Sequence, residues 1–209
     1  IIKNLKEWMS PKAVSNPLPV IFSKSSIEYY PKGTSLIISP WNYPFQLCIA
    51  PLLYAIAAGN CAVIKPSEVT SHTSKLVFNM ISELFEKKEV CVVEGAKEEA
   101  QELLNQPFNH IFFTGSEQIG KKVIEASSKF LSSVTLELGG KSPVVIDRGY
   151  NLKKAINRLV STKFINLGQS CIAPDYVVVH KEDYKHFIEL LIKEIESSYG
   201  ASFDDQIES

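Results

Sequence analysis

Between residues 33 and 138 the chain alternates short apolar runs with segments of helical length. The runs have the length of buried strands and cover residues 36–38, 62–64, 90–93 and 110–113. The segments that follow them have the length or apolar spacing of helices and cover residues 44–58, 71–87, 96–104 and 116–130. Short strands that alternate with helices predict an α/β fold: a Rossmann-like parallel sheet with helices on both faces.

The two ends of the chain have other patterns. Residues 11–32 carry several prolines around the β-rich runs 20–22 and 27–30, which predict an N-terminal β-hairpin. After residue 133 we expect strands at 134–138 and 143–146, a helix at 152–165, a strand at 176–179 and a helix at 182–198. We therefore divide the chain into residues 1–32, 33–138 and 139–209.

Composition narrows the function classes. The net charge is −1 and 22% of the residues are charged, so nothing favours nucleic acid or an anionic membrane as a partner. No apolar run approaches the roughly 18 residues of a spanning helix. The chain begins at Ile1 without a methionine and ends without a natural helix stop or a final strand, so we expect it to be an excerpt.

Of the cysteines, Cys171 stands apart. It follows Gly168, Gln169 and Ser170 in a polar turn, whereas Cys48, Cys61 and Cys91 have apolar neighbours and are expected in the core. Without Cys-x-x-Cys pairs or clustered histidines we expect no metal site, and no disulfides, since the chain resembles a reduced, cytoplasmic protein.

Glu137 precedes a Gly-Gly turn well upstream of Cys171. A turn-placed thiol and a separate carboxylate are the residue types of covalent catalysis with a general base, provided that the fold brings them together. Cys171 could also be a small buried side chain.

Polar residues also follow the predicted strands. Gly115 and Ser116 open a helix, whose N-terminus suits a phosphate; the segment lacks the G-x-G-x-x-G pattern, and Lys122 occupies the hydroxyl position of a P-loop, which disfavours an ATPase. Lys65 and Glu68 could bind a ribose or form a solvated pair. The alternative for Gly115 is a tight turn without a ligand.

The corner at residues 40–44 ends the first predicted strand of the sheet. Asn42 would present an amide N–H to a developing oxyanion. Trp41 and Tyr43 would either wall a substrate pocket or fill the core beneath the turn.

Taken together, these motifs resemble the aldehyde dehydrogenases, and within them the class 3 or fatty-aldehyde branch. The resemblance covers nearly the whole chain and rests on Pro-Trp-Asn-Tyr-Pro at 40–44, Lys-Pro-Ser-Glu at 65–68, Phe-Thr-Gly-Ser at 113–116, Glu-Leu-Gly-Gly-Lys-Ser-Pro at 137–143 and Gly-Gln-Ser-Cys-Ile-Ala-Pro-Asp-Tyr at 168–176.

The resemblance implies NAD(P)-dependent oxidation of an aldehyde to the acid. Its catalytic residues would be Cys171 as nucleophile, Glu137 as general base and Asn42 as oxyanion donor with the Cys171 backbone N–H. The NAD or NADP site would comprise Pro40, Trp41, Lys65, Glu68, Gly115 and Ser116. Residues 33–138 would be the cofactor domain, residues 139–209 part of an α/β catalytic domain, and the hairpin an oligomerisation element of a homodimer. Medium-to-long aliphatic or aromatic aldehydes would be the substrates.

The family's second glutamate motif, Glu-Ile-Phe-Gly-Pro, would lie beyond Ser209, together with most of the catalytic domain and, in some members, a membrane anchor. Two alternatives remain at this stage: a cysteine esterase or thioesterase that needs no nicotinamide, and an inactive nucleotide-binding fragment.

Overall fold

The computed structural model describes residues 1–200, which divide into two compact units, residues 1–138 and the residues from Gly139 onward. Each unit is described by itself below. Within the described residues, no helix combines the length and the apolar character needed to cross a bilayer.

The first unit begins with helix α1 (Ile2–Trp8) and an antiparallel pair of strands, β1 (Lys12–Val14) and β2 (Ser25–Ile27). The predicted hairpin is confirmed, but the run at 20–22 is not one of its strands. Leu18–Val20 instead forms a 3-10 turn. Pro19 explains the difference, because its ring fixes φ and it has no N–H for a strand ladder.

Strands β3 (Thr34–Ile38), β4 (Cys61–Lys65), β5 (Val90–Val92), β6 (His110–Gly115) and β7 (Ser133–Leu138) form one sheet. The strand order is β5-β4-β3-β6-β7, and all pairs are parallel. The parallel sheet predicted from the alternation is confirmed.

Helices cover both faces of this sheet: α2 (Gln46–Ala57), α3 (Ser71–Leu84), α4 (Lys97–Leu104) and α5 (Glu117–Ser127). Adjacent residues of β3 point to opposite faces. Ile37 packs in a core cluster with residues of α2 and α3, whereas Leu36 packs in a second cluster with residues of α4 and α5. The sheet is therefore buried on both sides, which explains its apolar strands.

Helix α2 begins later than predicted. Its first residue is Gln46, not Pro44, and the carbonyls of Tyr43 and Phe45 accept hydrogen bonds from its first turns. It ends at Ala57, one residue before the predicted end, and Gly59 follows as predicted, with a φ of +78° that glycine adopts without strain.

The second unit contains the parallel strands β8 (Ser142–Ile146) and β9 (Pro174–Val179) and the helices α6 (Leu152–Lys163) and α7 (Tyr184–Tyr199). Its core includes Ile146 of β8, Ile156 and Val160 of α6, and Phe187 of α7. A short 3-10 segment, Ile165–Gly168, follows α6 and leads toward the cysteine turn.

Candidate functional site

The carboxyl ends of the sheet strands bring most of the predicted site residues to one edge of the first unit. Ile38 is in register with both Lys65 and Phe113, and Gly115 is in register with Leu138. The segments that follow β3 and β4 therefore start side by side, and the segment after β6 starts two residues further along the same edge. β3 lies between β4 and β6, so the strand order reverses there, which is where open parallel sheets bind ligands.

The corner that carries Asn42 is fixed at both of its ends. Before the corner, the N–H of Ser39 donates to the carbonyl of Lys65 at 3.1 Å, and after it the Tyr43 carbonyl accepts from the N–H of Leu47 at 2.9 Å. Trp41 is 46% exposed, and Asn42 and Tyr43 are half-buried. The partial exposure of Trp41 favours a pocket wall over core filling.

Lys65 is a buried cation. Its side chain is only 3% exposed, and its Nζ donates to the Pro66 carbonyl at 2.8 Å and lies 3.7 Å from Oε2 of Glu68. The alternative of a solvated surface pair is wrong for the lysine, although Glu68 is 53% exposed. An ammonium has three N–H donors and is costly to bury without partners. The pair can therefore offer donors and an exposed carboxylate to a ligand with hydroxyl groups.

Ser116 lies at the N-terminus of α5. Its Oγ accepts from the N–H of Ile119 at 3.4 Å, as an N-cap does. Just before it, a Cβ on Gly115 would lie 2.5 Å from the ring of Phe113, so the glycine lets the chain pass over a buried aromatic. The first turn of α5 thus offers N–H groups and a partial positive charge at the sheet edge.

The second glycine of the P-loop-like pattern, Gly120, serves helix packing rather than phosphate binding. Gly120 lies inside α5, not in a loop, and a Cβ there would lie 3.0 Å from Cδ2 of Leu138 on β7. Lys121 pairs with Glu117 one turn earlier at 2.7 Å and is exposed. In an ATPase the residues after the first glycine form a loop that wraps the phosphates. Here α5 starts directly after Ser116, so these residues are helical and do not form that loop.

Thr114 was not predicted as a site residue. Its Oγ1 is buried and has no hydrogen-bond partner among the described residues. It is in register with Glu137 on β7, and Glu137 is exposed two residues before the Gly139–Gly140 segment. The sequence signal was a polar residue inside an apolar strand, directly before Gly115.

Cys171 belongs to the second unit, where it lies exposed in the turn between the 3-10 segment and β9. The three residues at positions 166–168, before this turn, have a left-handed backbone conformation. Their φ values are 51° at Asn166, 56° at Leu167 and 76° at Gly168. The N–H of Ala173 donates to the carbonyl of Ser170 at 3.1 Å and closes the turn. Non-glycine residues rarely adopt this conformation, and such outliers concentrate at functional sites.

The Gly139–Gly140 segment, which links β7 to β8, lies against the cysteine turn within the second unit. A Cβ on Gly140 would lie 2.9 Å from the carbonyl oxygen of Cys171. Ser142 and Pro174, the first residues of β8 and β9, are in register. Two motifs that are distant in sequence thus meet through their backbones, and only a residue without a side chain fits at position 140.

The other cysteines differ from one another. Cys48 is buried, as predicted, and burial raises the pKa of its thiol; burial likewise raises the pKa of the partly buried Cys91. The expectation that Cys61 lies in the core is wrong, because it is exposed at the first position of β4. Only residues further along that strand are covered by helices α2 and α3.

The chain is similar to known proteins over nearly its whole length. The model of the aldehyde dehydrogenase family matches residues 11–208. The chain is 48% identical over 198 residues to the 4,4'-diaponeurosporen-aldehyde dehydrogenase of Staphylococcus aureus, covering 95% of this chain and 43% of that protein. It is 40% identical over 205 residues to aldehyde dehydrogenase family 3 member A2 of Macaca fascicularis, covering 98% of this chain and 42% of that protein.

Solved structures agree with these matches. The substrate-bound state of Staphylococcus aureus AldH superposes with a TM-score of 0.92 at 46% identity, covering 97% of this chain and 44% of that one. The NAD+ complex of a Mycobacterium tuberculosis aldehyde dehydrogenase gives 0.82 at 26% identity, covering 90% and 38%. The chain thus spans less than half the length of the relatives that it matches. The chain belongs to the aldehyde dehydrogenase family.

Proposed function

We propose that the protein containing this chain oxidises an aldehyde to the carboxylic acid with NAD or NADP. The observation that carries the proposal is the shared edge of one parallel sheet. Asn42, Lys65 with Glu68, Gly115 with Ser116, and Glu137 all stand at or just beyond the carboxyl ends of neighbouring strands. Relatives that the chain matches are named as aldehyde dehydrogenases, which supports the same conclusion.

The residues at this edge fit a dinucleotide. The buried ammonium of Lys65 and the half-exposed carboxylate of Glu68 suit a ribose, because one donates to hydroxyl oxygens and the other accepts from hydroxyl groups. The first turn of α5 suits a pyrophosphate, with Ser116 and Gly115 directly before it. Pro40 and Trp41 end the neighbouring strand and would border the cofactor. The orphaned Oγ1 of Thr114 gives the same edge an unused polar group.

The proposed chemistry assigns one role to each of three residues. The Cys171 thiolate forms a bond to the aldehyde carbon, and the carbonyl oxygen becomes an oxyanion. The amide N–H of Asn42 and the backbone N–H of Cys171 donate to that oxyanion, each contributing roughly 3 kcal/mol. A nicotinamide cofactor held by Lys65, Glu68, Gly115 and Ser116 would supply a hydride acceptor for the adduct carbon, and the oxyanion would then re-form a carbonyl as the thioester of Cys171.

Glu137 completes the cycle. Its carboxylate takes a proton from water as the water oxygen attacks the thioester carbon. The carbon–sulfur bond then breaks, which releases the acid and returns the Cys171 thiolate. The exposure of Glu137 on β7 supports this role, because a base for water must be reached by water.

The substrate class and the assembly extend the proposal. Trp41 and Tyr43 are aromatic and partly exposed beside Asn42, which suits medium-to-long aliphatic or aromatic aldehydes. The hairpin region exposes large apolar side chains, among them Leu18, Phe22 and Tyr30, which suits its burial in a homodimer. Residues 33–138 would form the cofactor domain and residues 139–209 part of the catalytic domain. A cytoplasmic location stays a prediction.

The test uses the full-length protein. NADH absorbance is followed with hexanal, decanal or benzaldehyde, and hydrolysis of a phenyl ester is followed without cofactor. Aldehyde-dependent NADH formation supports the proposal. Ester hydrolysis without NADH formation would favour a cysteine hydrolase, and cofactor binding without either activity would favour an inactive nucleotide-binding protein.

A further inference from the structure

Beneath the Asn42 corner lies a buried polar contact that the proposed chemistry does not use. Oγ of Ser39 lies 2.6 Å from Sγ of Cys48, and either atom can donate the hydrogen. Both residues are almost fully enclosed, with 5% and 0% exposure. We call this contact the Ser39–Cys48 pair.

The pair connects the two sides of the corner. Ser39 directly precedes Pro40, and Cys48 lies in the first turn of α2, after the corner. The carbonyls of Tyr43 and Phe45 accept hydrogen bonds from the first N–H groups of that helix, including the N–H of Cys48. Cys48 therefore lies where the chain passes from the corner into the helix. The side-chain contact therefore closes the loop that carries Asn42.

The backbone of Ser39 is also hydrogen-bonded to Lys65, the proposed ribose-binding lysine. The N–H of Ser39 donates to the carbonyl of Lys65 at 3.1 Å, and the charge of Lys65 is near enough to Cys48 to oppose the rise that burial causes in the pKa of that thiol. Burial has the larger effect, so the Cys48 thiol stays protonated and can serve as a hydrogen-bond donor.

We infer that Ser39 and Cys48 are positioning residues that hold the Asn42 corner in place for the oxyanion. The inference rests on the proposed function. A misplacement of about 1 Å in a catalytic group can cost about a hundredfold in rate. We expect the loss of one contact at the base of the corner to displace Asn42 by less than that and to slow acylation about tenfold.

The test compares Cys48→Ala, Ser39→Ala, Cys48→Ser and the double Ala variant in the full-length protein. The readouts are the rate of the first NADH turnover, the Kd for NAD, the Tm, and hydrogen exchange of the peptide spanning residues 38–47. Leu52→Val is the matched control, since Leu52 is also buried one helical turn after Cys48 but has no hydrogen-bonding side chain.

In both single Ala variants the rate of acylation should fall about tenfold and hydrogen exchange at residues 38–47 should be faster than in wild type. Their Kd for NAD should stay within about twofold of the wild-type value. The double variant should lose no more than either single one, because the two side chains act as a unit. Cys48→Ser should restore most of the rate, because a hydroxyl can make the same hydrogen bond. Leu52→Val should lower Tm and leave acylation unchanged.

Two results would overturn the inference, provided that Asn42→Ala acylates slowly. One is a wild-type rate of acylation in Cys48→Ala and Ser39→Ala, and the other is an equal loss of rate in Leu52→Val. If Asn42→Ala acylates normally, the proposed role of Asn42 fails and the inference falls with it. If Cys48→Ala does not fold, Ser39→Ala tests the inference by itself, because it removes the same contact.

Discussion

Lys65 and Glu68 face each other across 3.7 Å at the end of β4, the lysine buried and the glutamate half exposed. The buried ammonium is held by the carboxylate and by the carbonyl of Pro66. A ribose at this position would meet a fixed donor and a solvent-accessible acceptor. A 2′-phosphate would meet the same carboxylate as a like charge.

Glu68→Gln should therefore shift cofactor preference toward NADP. Removing one exposed negative charge beside a phosphate is worth roughly 1 kcal/mol after screening, or about fivefold in the ratio of the two Kd values. Titration of wild type and variant with NAD and NADP measures this ratio. Glu86→Gln is the matched control, since Glu86 is exposed and precedes the amino end of β5, away from the site edge. An unchanged ratio in Glu68→Gln would mean that Glu68 does not face the ribose.

Glu137→Gln should separate the two halves of the proposed reaction. The amide cannot take a proton from water, so deacylation should slow by about a hundredfold or more while acylation continues. Rapid mixing with aldehyde and cofactor should show a burst of NADH equal to the active sites, followed by slow turnover. Loss of the burst itself would indicate that Glu137 activates the thiol of Cys171 instead.

Much of the first unit was predictable because local patterns report burial. The apolar runs of β3, β4 and β6 are buried on both faces, so they lack the polar alternation of a half-exposed strand. Once the strands were predicted to be parallel, the polar residues after them had to share an edge. Lys65, Gly115 and Asn42 could be assigned to that edge on this basis.

Other features depend on tertiary neighbours that a local pattern does not encode. Cys61 has the apolar neighbours of a core residue but lies where β4 begins, before the covering helices. The first hairpin strand is Lys12–Val14, which has weaker β-forming character than residues 20–22 and is selected by its pairing with β2. The left-handed approach to Cys171 includes Leu167, a residue that gives no sequence signal for positive φ.

His110 predicts a specific dependence of stability on pH. Its ring bonds to Oγ of Ser133 at 2.8 Å and to Oγ1 of Thr135 at 3.2 Å, and Lys32 donates to the same serine. Burial, followed by the charge of Lys32, lowers the pKa of His110 below its ordinary 6.5. The unfolded chain therefore binds the proton more readily, so this contribution to stability is complete above pH 6.5 and is lost as pH falls through the folded-state pKa.

His110→Gln should remove that dependence. The fall in Tm between about pH 7.5 and pH 5.5 should be smaller in the variant than in wild type, because glutamine does not titrate. His186→Gln, at an exposed position of α7, is the comparison variant. Parallel Tm profiles for wild type and His110→Gln would contradict the prediction.

Cys171→Ala should abolish both dehydrogenase and esterase turnover, because the thiol supplies the bond to the substrate carbon. We expect a loss of at least about a thousandfold in kcat, with the Kd for NAD unchanged, since the proposed cofactor residues belong to the other unit. Cys61→Ala is the matched control, because Cys61 is also exposed, and it should retain full activity. More than a trace of activity in Cys171→Ala would show that Cys171 is not the nucleophile.

Gly115→Ala should destabilise the first unit even without cofactor. The added Cβ would lie 2.5 Å from the ring of Phe113, which is 4% exposed and has little room to move. Forcing an extra carbon into a packed core costs about 1–3 kcal/mol, whereas the usual gain from replacing a strand glycine is below about 1 kcal/mol. Gly139→Ala is the control, because a Cβ there meets nothing within 4 Å. Urea unfolding of both variants measures the difference in stability. Equal midpoints would mean that the ring of Phe113 moves to accommodate the added carbon.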